Sequence, residues 1–180
     1  MATIGPDEFR RRAGQAYEWG RFRHAAAKAW PALPLTAVSS WLCHEPGLSV
    51  AIGVGLFTLL TGLVWYGRIA THAARAGLKA GMVAFAVPVV AFHAYPAPCC
   101  PLSVLVIING ACGIGVGVLL SIESTRLQAH YNVFLLFASV VSTLCGMLGC
   151  ILFGPIGLAG MAMGVLLSTA PVAIFRRVTA

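Results

Sequence analysis

Acidic side chains are scarce in this 180-residue chain: Asp7 is the single aspartate, and Glu8, Glu18, Glu45 and Glu123 complete the set. Paired carboxylates for general acid–base work and a Ser-His-Asp arrangement are therefore absent. No glycine motif of the phosphate-cradling kind occurs either, and the glycines fall in apolar runs where helix packing explains them. An enzymatic activity is not expected, and no cofactor is implied. The six cysteines include no Cys-x-x-Cys pair, and no His/Cys set has zinc-finger spacing. Met1 to Arg12 is polar and leads into no apolar run at signal-peptide distance, so a removable leader is not expected. Charge of either sign is thin at 9% of residues, against about 25% in soluble domains. A water-facing surface cannot be assembled from so little.

Long apolar runs fill the rest, with a mean hydropathy of +0.88. They predict an all-α integral membrane protein of six transmembrane helices. The expected spans are residues 24–43, 48–66, 77–95, 99–122, 132–153 and 156–175. Each is about 20 residues, enough for roughly 30 Å of hydrocarbon. The Lys and Arg residues sit at 10–28, 68–79, 126 and 176–177. The turns between, around Cys43 to Gly47, Tyr95 to Pro98 and Gly154-Pro155, carry none. Cytoplasmic retention of cations in short loops produces this asymmetry. It places both termini in the cytoplasm, residues 68–79 in a cytoplasmic loop, and the spans in three antiparallel hairpins of a cell inner membrane. The lipid bilayer then accounts for the net charge of +7, and direct nucleic-acid binding is not expected. The first span is the least regular, because Lys28, Pro31 and Pro34 fall within it.

Two regions divide the chain: a basic cytoplasmic segment, 1–28, and the membrane bundle, 29–180. Residues 7–28 predict a short amphipathic helix, with Asp7 and Glu8 at its positive end. At about 100° per residue, Phe9, Ala13, Ala16, Tyr17 and Gly20 share one face, and Arg10, Arg11, Glu18, Arg21 and Lys28 gather opposite. Interfacial anchoring explains such a helix, and so does docking of a cytoplasmic protein. The segment holds six of the twelve cations together with four aromatics, more than topology requires. The candidate partner-binding residues are Phe9, Arg10, Arg11, Arg12, Tyr17, Trp19, Arg21, Phe22 and Arg23.

Small residues recur in the later spans, and pairs such as Gly113/Gly117 and Gly160/Gly164 predict close helix approach within the molecule. At the outer turns, Cys43, His44, His93, Cys99 and Cys100 form the alternative candidate set. Thiolate and imidazole there suit a soft or borderline metal, disulfides, or plain packing. On the metal or thiol-reactive reading the protein is a small membrane carrier or sensor. Carriers usually keep ionisable groups in mid-span, and this chain has almost none.

The Tyr17-Glu18-Trp19-Gly20-Arg21-Phe22-Arg23 stretch leads directly into an alanine-rich first span, and Cys-Pro-Leu-Ser at 100–103 opens the fourth. With six compact spans and both ends inside, the layout resembles the six-span membrane anti-sigma factors, the CarR- and NrsF-like class. That resemblance implies a membrane-embedded negative regulator of transcription whose cytoplasmic segment holds a sigma factor at the membrane. The sequestering element would be residues 7–28. The His-x3-Cys-x2-Cys pattern of zinc-type anti-sigma factors is absent from that segment.

Overall fold

The protein is seen here as a computed structural model, which describes residues 6–43, 46–94, 102–124, 131–151 and 154–179. The described residues form seven α-helices: α1 Pro6–Ala29, α2 Ala32–Leu42, α3 Pro46–Tyr66, α4 Arg68–Ala94, α5 Leu102–Ser124, α6 Tyr131–Cys150 and α7 Gly154–Thr179. Four segments are long and apolar enough to cross a membrane: Pro46–Tyr66, Arg68–Ala91, Ile107–Ser124 and Tyr131–Cys150. Large apolar side chains such as Leu33, Val54, Val90, Leu136 and Leu167 face outward from most of the bundle. Such a surface is compatible with membrane insertion and costly in water.

The irregular first span resolves into two pieces. Pro31 supplies no N–H and disfavours a helical conformation at Trp30, so α1 stops at Ala29 and α2 restarts at Ala32, with Leu33 N donating to Trp30 O at 3.0 Å. Alone, the 11 residues of α2 reach only about 16 Å. The last turns of α1 extend the packed segment, because Ala25 and Ala29 are buried with Ala32. The expected boundary at residue 28 thus falls inside the last turn of α1.

A second difference concerns residues 68–79, expected as a loop. They are the first three turns of α4, and Gly67 alone separates them from α3. Its φ of +141° is the single positive φ among the described residues, a conformation open to glycine and strained for other residues. A one-residue joint lets the cations start a helix at once. Pro88 lies within α4 without ending it.

Sequence neighbours do touch, as α2 does α3, α4 does α5 and α6 does α7, yet the broadest interfaces lie elsewhere, between α4 and α6 and between α5 and α7. A Cβ on Gly77 would lie 2.6 Å from Ala138 O, and one on Gly149 would lie 2.6 Å from Phe85 O. Low numbers meet low and high meet high, so α4 and α6 run parallel. Likewise Gly113 faces Met161, Gly164 and Val165, while Gly117 faces Ser168. Adjacency in sequence brings consecutive helices into touch, but contact area follows the small-residue faces, which let backbones approach. Phe134, Leu120 and Met161 fill the centre between these four helices. A second core, around Leu56, Leu148 and Val141, joins α1–α3 to α4 and α6. There Ser39 Oγ donates to Leu148 O at 2.7 Å and lies 3.2 Å from Ser49 Oγ, tying α2 to α6 and α3.

Candidate functional site

The candidate residues of α1 sit on a helix with almost no buried face. From Phe9 to His24 every side chain is exposed, and burial begins at Ala25. Its terminal charges suit the helix dipole, with Asp7 and Glu8 in the first turn and Lys28 in the last. Arg12 and Glu8 add an i,i+4 ion pair, worth a few tenths of a kcal/mol, on the order of 0.3–0.5. The expected apolar stripe of Phe9, Ala13, Ala16, Tyr17 and Gly20 has no surface packed against it.

Where α1 meets the bundle, three of the nine candidates are held together. Trp19 stacks on Phe22 with ring centroids 5.7 Å apart, and Phe22 meets Trp65 of α3 edge-on at 5.8 Å. Arg21 donates to Trp65 O at 2.8 Å, and the Trp65 indole N–H donates to Glu18 at 3.1 Å. The Arg21 guanidinium also lies 5.8 Å from the centre of the Tyr17 ring. Trp65, near the end of α3, thus receives α1. Phe9, Arg10, Arg11, Arg12 and Arg23 remain outside this cluster, and Tyr17 touches it through Arg21; Phe9 and Tyr17 are each about two-thirds exposed.

Beside the cluster lies a cavity of about 440 Å³ lined by Arg21, His24 and Lys28 of α1 and by Arg68, His72 and Arg75 of α4. Among the described residues the ion pairs are Arg12–Glu8 and Arg21–Glu18, both within α1. Lys28, Arg68 and Arg75 line this cavity together, and none of them is in either of those ion pairs. Sequence reading used these cations as markers of sidedness and passed over their spacing. Positions 68, 72 and 75 on α4, like 21, 24 and 28 on α1, recur at helical period and share a face.

Of the alternative set, His44, Cys99 and Cys100 lie outside the described residues. Cys43 is half-buried just past α2, and His93 is exposed, with Nδ1 2.9 Å from Val89 O. Among the described residues no three His, Cys, Asp or Glu side chains converge as a metal site would require. Elsewhere in the bundle, Cys150 Sγ donates to Asn109 Oδ1 at 3.2 Å, joining α6 to α5.

Against known protein families, characterised proteins and solved structures, the chain has no match.

Proposed function

We propose that the protein is a membrane-embedded negative regulator that captures a cytoplasmic transcription factor, in the manner of an anti-sigma factor, through α1. One observation carries this reading: α1 is exposed over sixteen consecutive residues, 9–24, and is pinned to the bundle within that stretch through Glu18, Arg21 and Phe22 on Trp65. Three exposed aromatics, Phe9, Tyr17 and Trp19, lie on that stretch. A helix without a buried face gains little from the rest of its own fold, so a partner is the natural source of an apolar contact. Arg and aromatic side chains are also the types that dominate binding energy at interfaces. The architecture and basic amino-terminal stretch shared with the six-span anti-sigma factors support the choice of a sigma factor as partner. Tethered to the bundle, that factor would be kept from RNA polymerase.

The same reading places six spans in a cell inner membrane with both termini cytoplasmic, α1 and α2 together making the first. Alkaline-phosphatase fusions should be inactive at Arg75 and Arg126 and active at Ala97. Activity at Arg75 would overturn the orientation. Partner capture is tested by purifying the intact chain from its native cells in mild detergent. A sigma factor should accompany it and be lost when residues 7–23 are deleted, with insertion unaffected. If the deleted chain still inserts and still represses its target genes, α1 is not the sequestering element.

A further inference from the structure

Two hollows meet at the joint between α3 and α4. One is the cationic cavity of Arg21, His24, Lys28, Arg68, His72 and Arg75. The other is a groove of about 740 Å³ whose apolar walls are Thr58, Leu59, Gly62 and Leu63 of α3 with Val133 and Phe137 of α6. Gly67 and Arg68 line both. Glycine at the joint and at position 62 keeps the groove open, since a Cβ added at either would meet nothing within 4 Å.

We infer that this pair of hollows binds one anionic phospholipid, its phosphate held by the cations and an acyl chain laid in the groove. The charge is the first reason. Four permanent cations line the cavity, and Glu18, which is not part of its lining, is engaged by Arg21 and Trp65. The nearby Glu123 lines a neighbouring cavity instead, with His72, Arg75 and Lys79. Such a set leaves an uncompensated positive field, and arginine pairs bidentately with phosphate oxygens. The groove is the second reason. A free phosphate or a nucleotide would use the cavity alone, whereas a lipid joins an anion to a chain that fills the apolar extension. Basic pockets between spanning helices at the headgroup level are the places where anionic headgroups bind. A lipid here requires only that α3 and α4 stand in a bilayer, whatever α1 captures.

Native mass spectrometry of the full chain in detergent, titrated with phosphatidylglycerol and with phosphatidylcholine, tests this. Phosphatidylglycerol should bind at least about tenfold more tightly, and R68Q/R75Q should weaken it about 30-fold, each cation contributing near a surface what the bilayer field gives it. R10Q/R11Q, which removes equal charge away from the cavity, should change it less than about twofold. Gly62→Ile, which starts from a Cβ with nothing within 4 Å and adds bulk to the groove wall, should also weaken it. Equal affinity for the two lipids, or equal losses in the two double variants, would overturn the inference. So would displacement by inorganic phosphate together with an unaffected Gly62→Ile chain, which marks a free-anion site. Should the cation variant fail to insert, a photoactivatable phosphatidylglycerol on the unmodified protein decides: crosslinks within residues 58–70 support the inference, and crosslinks confined elsewhere reject it.

Discussion

Residues 9–24 of α1 and residues 110–117 of α5 are both helical, for opposite reasons. The first stretch is charged and exposed, and is supported by its end charges, two ion pairs within the helix and the contacts of Glu18, Arg21 and Phe22 with Trp65. The second contains Gly110, Gly113, Gly115 and Gly117, poor helix formers, yet it holds because α7 presses against it at backbone distance. Local preference supports α1, and tertiary contact supports α5. A helix of the first kind is free to exchange solvent for a partner, while one of the second kind cannot move without breaking the bundle.

Substitutions can break that contrast. Gly113→Leu should have the largest effect, because its Cβ would lie 2.6 Å from Met161 O and 2.9 Å from Gly164 Cα, atoms that cannot rotate away. Overpacking of this kind costs about 1–3 kcal/mol, visible as a lower unfolding midpoint in detergent. Gly115→Leu, two residues along with nothing within 4 Å, should shift it by less than about 0.5 kcal/mol; equal losses would remove the packing explanation. Ser39→Ala should cost about 1–2 kcal/mol in the same assay, since Leu148 O, near the end of α6, loses its donor. Trp65→Ala removes an aromatic pairing of about 0.5–1.5 kcal/mol and should leave the midpoint nearly unchanged while speeding hydrogen exchange at residues 18–24. Unaltered exchange there would mean that α1 is held by something other than Trp65. The smallest effect is expected from Arg10→Gln with Arg11→Gln, within about 0.5 kcal/mol of the parent, because neither side chain packs on the bundle.

Helix character was readable almost everywhere, since unbroken apolar runs of about twenty residues leave few alternatives. Pairing was not readable. A glycine pair such as Gly113/Gly117 signals that some helix comes close, without saying which, and the sequence order suggested neighbours when α7 is the partner of α5. At the site, Trp19, Arg21 and Phe22 were expected to meet a partner; Arg21 and Phe22 touch Trp65 of this same chain, and Trp19 stacks on Phe22. The cavity cations were hidden by treating 68–79 as a loop. Charge was weighed there as a topological signal, and the 3.6-residue period of Arg68, His72 and Arg75 went unused.

The parallel pairing of α4 with α6 also sets a schedule for biosynthesis. Gly77 is made about sixty residues before Ala138, the partner it meets, so at roughly 5–20 residues per second the glycine face of α4 waits several seconds for α6. Neither sequence neighbour, α3 or α5, meets α4 as broadly as α6 does. On the proposed membrane reading an insertase or lipid shelters it during this interval, and a photocrosslinker near Gly81 should capture one of them in ribosome-arrested chains that end before residue 131. In chains long enough to release α6 from the ribosome, the same probe should fall silent toward both and find Ser142 and Cys145 instead.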